Sequence, residues 1–461
     1  MPASSNPPLE PEQCARKGPT PLGGTAEVAR LAYPVVLTQV SITAMQLVDS
    51  AMVGTLGATE LAAVGLGGIW LWTALCGLVG TTSAVQTFVS QCHGAGSERD
   101  CGAWSWHGLY AIVPPTAVLS LALWFGSAPL LAWIGPSPEL QPLATDYMQM
   151  RSLGAVGLAG AVCLSSFFRG YGDTRTPLHA TLLANSVNAV LDYGLIFGAF
   201  GLPAWGVAGA GAATATAEWV YLLALWLPFR GRRTRARFAT ARVAPSWQAA
   251  RRLLSTGLPI GGQWALEMTS FAAFTALVAR MSDASMAASQ AFIVMLSLSF
   301  MQAVGLAIAV STLVGRYVGA ADPAAAKRSY HSGMRIGALL AGGIALLFVA
   351  APERLMGLFS SDPEVLRLGV PLLMVGALYQ VFDAFAIIAD GALRGAGDTR
   401  WPFMVRCALA WGLFLPLAWV LGVALEGGLT WAWAGGVVYV ALLAGALVWR
   451  FRSGAWKAIR I

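Results

Sequence analysis

Four carboxylates stand where an apolar chain has least reason to keep them. Asp49 sits in Gln-Leu-Val-Asp-Ser-Ala-Met-Val-Gly, and no Lys or Arg lies between Leu31 and Glu98 to neutralise it. Asn185, Asn188 and Asp192 recur at i, i+3, i+7, which puts two amides and a titratable acid on one helical face. Glu267 lies in a later apolar segment, and Tyr379 and Asp383 stand one helical turn apart further on, a phenol and a carboxylate sharing a face. An ionisable group at membrane depth costs several kcal/mol, so each needs a proton, a hydrogen-bond partner or a bound cation. Oxygen ligands of this kind suit H⁺ or Na⁺. The competing reading of each acid is a hydrogen-bonded structural group, or one that faces a water-filled vestibule. Glu218 and Asp390 are weaker candidates, because Arg394 stands one turn beyond Asp390 and can pair with it.

Other chemistries lack their residues. The four histidines, at 93, 107, 179 and 331, fall at or near expected helix ends, with no HExxH and no Ser/His/Asp spacing. The six cysteines contain no CxxC pair, so they read as small buried hydrophobes rather than zinc ligands or a disulfide framework. The expectation is no enzyme, no cofactor, and no metal other than Na⁺ at the carboxylates.

The elements that hold these acids follow from composition. The 461 residues are 57% hydrophobic and 11% charged, against roughly 25% charged in soluble domains. Apolar stretches of about 20 residues, enough to cross a bilayer core, fall near 29–54, 59–90, 104–126, 143–168, 177–200, 206–229, 254–280, 285–316, 332–351, 365–392, 402–424 and 429–450. The fold class is therefore an all-α membrane protein of twelve transmembrane helices. Residues 1–24 read as a disordered cytoplasmic tail, 25–229 as a first lobe, 230–253 as a basic cytoplasmic linker, 254–450 as a second lobe and 451–461 as a cytoplasmic C-terminal tail. With both termini in the cytoplasm, 25 of the 29 Lys and Arg lie on that side, leaving Arg151, Arg280, Arg354 and Arg367 on the other. A net charge of +7 distributed on alternate loops is a topology signal, so no nucleic-acid partner is expected.

An internal repeat runs at one offset. Pro34 meets Pro259, Gly94-Ala95 meets Gly319-Ala320, and Pro138-Glu139 meets Pro363-Glu364, each 225 residues on. The clearest copy is Arg-Gly-Tyr-Gly-Asp-Thr-Arg-Thr-Pro ending at Pro177 against Arg-Gly-Ala-Gly-Asp-Thr-Arg-Trp-Pro ending at Pro402. Gly172 and Gly397 permit a tight turn there, and Asp173 and Asp398 can bond local backbone. Six helices per half return the chain to its starting side, so the lobes run parallel about a pseudo-two-fold axis along the membrane normal. The acids are not repeated: Asp49 maps to Phe274, Asp192 to Leu417, Glu267 to Ile42 and Asp383 to Leu158.

Over about residues 25–450 the chain resembles the MATE (multidrug and toxic compound extrusion) transporters. Asp49 in Val-Asp-Ser-Ala-Met-Val-Gly looks like the family's first-helix acid. Asn185 to Asp192 with Phe197-Gly198 resembles its fifth-helix signature, and Thr214 is similar to the sixth-helix partner. Glu267 after Leu258-Pro259, and Tyr379 to Asp383 leading into Leu393-Arg394-Gly395, look like the second-lobe acids and tyrosine of the NorM-like branch. The acid at Asp192 is a DinF-like feature, and here both sets coexist. The resemblance implies two cation sites: Asp49, Asn185, Asn188, Asp192 and Thr214 in the first lobe, and Glu267, Tyr379 and Asp383 in the second.

The expected activity is antiport of organic cations (drugs, dyes and cationic antibiotics) against H⁺ or Na⁺, by a monomer in the bacterial inner membrane. The alternative is a lipid or lipid-linked saccharide flippase of the same wider superfamily. A flippase would want a basic cleft for a pyrophosphate, and the sequence gives acids without an intramembrane Arg or Lys. A channel would draw its pore from oligomeric symmetry or a repeated filter, which a two-lobe repeat does not supply.

Overall fold

The computed structural model describes residues 22–359 and 362–459; most of the expected N-terminal tail, residues 1–21, lies outside them. The described residues form helices and turns, with no strand among them. In chain order the helices are α1 (Thr25–Gly54), α2 (Ala58–Gly94), α3 (Glu98–Ile134), α4 (Leu140–Ser152 and Ala155–Tyr171, bent by 44°), α5 (Arg175–Phe197) and α6 (Gly206–Arg230). The later half follows with α7 (Trp247–Ala279), α8 (Asp283–Gly319), α9 (Pro323–Ala350), α10 (Pro363–Ala396), α11 (Arg400–Ala424) and α12 (Gly428–Ser453). Ten are long and apolar enough to cross a membrane, and the bent α4 makes eleven. The twelfth, α7, has 33 residues and carries Arg251, Arg252 and Glu267, and it is not among the helices apolar enough to cross a membrane by composition alone.

Local chemistry sets the boundaries. Ser282 caps α8 by accepting from the Ser285 amide at 3.0 Å, and Asp322, followed by Pro323, caps α9 from the Ala325 amide at 2.8 Å. That cap starts α9 nine residues before the apolar stretch at 332, because its first turns carry Lys327 and Arg328 into the polar layer. Gly172 (φ +98°) and Gly397 (φ +90°) end α4 and α10 in the left-handed conformation open to glycine. Asp173 then accepts from the Arg175 and Thr176 amides, as the repeat predicts, whereas its counterpart Asp398 accepts from Arg450 Nε at 2.7 Å.

The halves are interleaved. Val28 and Ala32 of α1 are buried among Val310, Tyr330 and Leu393 of the later half. Leu253 of α7, 225 residues after Val28, is buried among Phe88, Leu164 and Phe167 of the first. Further along, α1 packs on α5 and α8 while α7 packs on α2, so each half lends one helix to the seam. The ends of α2 and α8 cross where Ser90 touches Gly315, a residue and its own repeat mate, so the pseudo-axis runs between them. No room for a Cβ is left there or at Gly94 and Gly319, which lie on the carbonyls of Arg316 and Gln91.

The linker is folded rather than loose. Residues Arg232–Phe238 form a short helix, Trp106 Nε1 of α3 donates to the Thr240 carbonyl at 3.2 Å, and Tyr110 donates to Val243 O at 2.9 Å. At the C-terminus, Trp456 is buried on Phe451 and donates to its carbonyl at 2.8 Å. Cys76, Cys101 and Cys163 are buried free thiols, as expected.

Candidate functional site: carboxylates within the helical bundle

The first-half site is built on α1 and α5. Asn188 and Asp192, one turn apart on α5, are both fully buried, and Asn188 Nδ2 donates to Asp192 Oδ2 at 2.9 Å. Asp49 of α1 lies beside Asp192, so the two carboxyls interact directly. Two carboxylates in contact repel unless a proton or a cation lies between them. One oxygen on each of Asp49, Asn188 and Asp192 is buried without a partner, although buried polar atoms are ordinarily satisfied. Three partnerless oxygens on three touching residues make an all-oxygen donor set that fits a proton or a hard cation such as Na⁺.

The remaining first-half candidates are placed nearby but employed elsewhere. Asn185 Nδ2 donates to Ser41 O at 2.9 Å and to Ser41 Oγ at 2.7 Å, tying α5 to α1. Thr214 is buried and donates to the Ala210 carbonyl of its own helix at 2.9 Å. Sequence reasoning missed a third layer. Arg151, in the last turn of the first segment of α4, donates to Glu218 Oε2 of α6 at 2.7 Å. Its charge acts on Asp49, and the buried Tyr147, one turn earlier, faces the same acids. The signal was present, since Glu218 had no partner in the sequence and Arg151 was one of four basic residues on its side.

The second-half site has a different charge balance. Glu267 of α7 pairs with Arg406 of α11 at 3.5 Å, the arginine side chain being buried and the glutamate 39% exposed. Asp383 of α10 lies within electrostatic reach of both, and Tyr379 of Asp383 and Glu267. Tyr439 of α12 lies near Arg406. Among the described residues, Glu267 is the acid that pairs with this guanidinium, and Asp383 lies near it without an ion pair. Asp390 and Arg394 form the expected ion pair.

Arg151 and Arg406 correct the expectation that no arginine lies at membrane depth. Arg406 stands six residues inside α11, which starts at Arg400, and the bend of α4 draws Arg151 into the bundle. Both are matched by a glutamate, so neither is a free cation for a pyrophosphate.

Twelve helices in two repeated halves, with acids set inside the helical bundle, define a polytopic membrane protein of the secondary-transporter class. The profile of the MatE family matches residues 34–194 and 259–420, once in each half. The chain is 32% identical over 437 residues to the multidrug resistance protein NorM of Burkholderia vietnamiensis, covering 92% of this chain and 93% of that one. It is 31% identical over 396 residues to the multidrug resistance protein MdtK of Yersinia pseudotuberculosis, covering 85% and 86%. A solved outward-facing multidrug resistance MATE transporter of the MOP superfamily superposes with a TM-score of 0.85 at 19% identity, over 96% of this chain and 100% of that one. The chain belongs to the MATE family and is NorM-like.

Proposed function

We propose that the chain is a multidrug efflux antiporter whose coupling ion is held between Asp49 and Asp192 and whose substrates are amphipathic organic cations. The observation that carries this reading is the approach of the half-buried Asp49 to the fully buried Asp192, with one partnerless oxygen on each of Asp49, Asn188 and Asp192. In the second half Arg406 already neutralises part of the acid charge, which favours the first half as the coupling site. The coupling ion is H⁺ or Na⁺, and the donor set accepts either.

A substrate cation and a coupling ion that both lower the cost of the same negative charge compete for it. Each shifts the balance between the two orientations only by its difference in affinity for them. With the basic loops in the cytoplasm of a bacterial cell and the protein a monomer in the inner membrane, the contacts at the ends of α2 and α8 close the cytoplasmic side. An ion entering from outside then reaches Asp49 and Asp192, and its binding releases the substrate outward. Arg151 and Arg406 are each paired with a glutamate, which does not favour a flippase, and membership of a transporter family supports transport rather than catalysis.

The test is efflux of ethidium from proteoliposomes under an imposed H⁺ gradient or, separately, a Na⁺ gradient, for the wild type and for Asp49→Asn, Asp192→Asn and Asp383→Asn. The reading requires one of the two gradients to drive the wild type, with Asp49→Asn and Asp192→Asn inactive and Asp383→Asn retaining gradient-driven efflux. Ethidium efflux indifferent to both gradients would remove the antiport reading.

A further inference from the structure

The two halves treat one position at their basic ends differently. In the later half, the chain entering α1 lies across α9: Arg328 Nε donates to Leu22 O at 2.9 Å and Ser332 Oγ to Gly23 O at 2.9 Å, with Gly23 seated against Ser329. Shifted by the repeat, Gly23 becomes Gln248, Ser329 becomes Trp104, and Ala26 and Glu27 become Arg251 and Arg252. At that place Trp104, Ser246, Gln248, Ala249, Arg251 and Arg252 line an open hollow of about 520 Å³. The surface that one half fills with its own backbone is left concave in the other, and two cations stand where the first copy has an alanine and an acid.

Both arginines are exposed, and none of the ion pairs among the described residues includes either of them. Of the linker arginines, only Arg237 has a carboxylate, Glu98, at 2.7 Å. The acid closest along the chain to the hollow's wall is Asp100, one turn before Trp104, and it makes no ion pair with them. Trp247, at the first residue of α7, is 75% exposed, the placement of an indole at a membrane boundary. Two unpaired guanidiniums on a concave surface at that boundary have the donor geometry for phosphate oxygens. Basic pockets at this level hold anionic headgroups.

We propose that this hollow holds the phosphate of an anionic phospholipid, bound as a resident boundary lipid and not as transported cargo. The headgroup lies between Arg251 and Arg252, with the indoles of Trp104 and Trp247 at the acyl boundary.

The test uses the full chain in neutral detergent, titrated with dioctanoyl-phosphatidylglycerol and read by native mass spectrometry, with dioctanoyl-phosphatidylcholine and inorganic phosphate as comparisons. Phosphatidylglycerol should bind at least about tenfold more tightly than phosphatidylcholine and should not be displaced by millimolar inorganic phosphate. Arg251→Gln with Arg252→Gln should weaken it about tenfold or more, because each arginine at an anionic surface contributes measurably. Arg251→Lys with Arg252→Lys should stay within about threefold, and Arg232→Gln with Arg233→Gln within about twofold. Equal losses from the two glutamine pairs would show diffuse charge in place of a site. Unchanged binding in the Arg251/Arg252 pair, or displacement by inorganic phosphate, would overturn the proposal. Efflux is not read, so the result is independent of the antiport reading.

Discussion

Thr87 and Thr312 stand 225 residues apart and make the same bond into opposite halves: Thr87 Oγ1 donates to the Arg394 carbonyl and Thr312 Oγ1 to the Arg169 carbonyl, each at 3.1 Å. The acceptors keep the donors' spacing, so the repeat extends to the contacts that shut the basic end of the seam. Gln86 Nε2 adds bonds to Ile308 O and Thr312 Oγ1, both at 3.0 Å, and Gln91 Nε2 donates to Gly395 O at 3.0 Å. Arg316, the repeat mate of Gln91, donates to Tyr171 O at 2.8 Å. The closure is made of side-chain hydrogen bonds to main-chain carbonyls, mostly near the ends of α4 and α10, and Arg316 is the one charged donor among them.

Removing both threonine bonds should loosen that closure. A buried hydrogen bond is worth about 1 kcal/mol net, so losing two with Thr87→Val and Thr312→Val should raise opening of this end by roughly thirtyfold. Amide exchange across Gln86–Gly94 and the end of α8 reports it, and exchange equal to wild type would mean that the closure rests on the helix crossing alone.

Arg151 and Glu218 form a charge pair buried in the first half. Breaking such a pair costs roughly 3–5 kcal/mol, because one charge is left uncompensated. Glu218→Gln should therefore lower the thermal midpoint in detergent substantially, and adding Arg151→Met should recover most of the loss. A double variant as unstable as the single one would contradict a charge-pairing role.

The seam between α2 and α7 leaves no space at Gly261, where a Cβ would enter the Gly77 carbonyl, whereas Gly343 of α9 faces open space. Gly261→Ala should cost about 1–3 kcal/mol by overpacking. Gly343→Ala should be neutral or slightly stabilising, since alanine is the better helix former. Equal effects, measured by thermal unfolding of the two variants, would show that the close approach does not hold the seam.

Much of this was legible in the sequence because a bilayer leaves few choices. Apolar length marks eleven of the twelve passes, arginine placement gives an expectation of the sides, and the repeat gives the parallel halves. Of the first-lobe set Asp49, Asn185, Asn188, Asp192 and Thr214, Asn188 and Asp192 are hydrogen-bonded to each other and Asp49 lies beside Asp192. What periodicity could not show is which element sits opposite. Asn185 shares their face yet is taken by Ser41 on α1, and Thr214 turns to its own helix. Arg406 read as one of the basic-side residues because it is near a helix start; only the approach of α7 to α11 reveals it as the partner of Glu267. The exchange of α1 and α7 between halves leaves no mark in hydropathy, since Val28 and Leu253 are apolar in either setting.

In the proposed antiport, one coupling ion lies between Asp49 and Asp192 and leaves when a substrate cation binds. The most direct measurement adds tetraphenylphosphonium to the purified protein and counts the ion released, protons with a pH indicator in weak buffer and Na⁺ by displacement of ²²Na⁺. Reciprocal linkage requires that a competing cation expel the ion it replaces. The account predicts release of roughly one H⁺ or one Na⁺ per protein from the wild type and from Asp383→Asn, and none from Asp192→Asn. The same release from Asp192→Asn as from the wild type would contradict it.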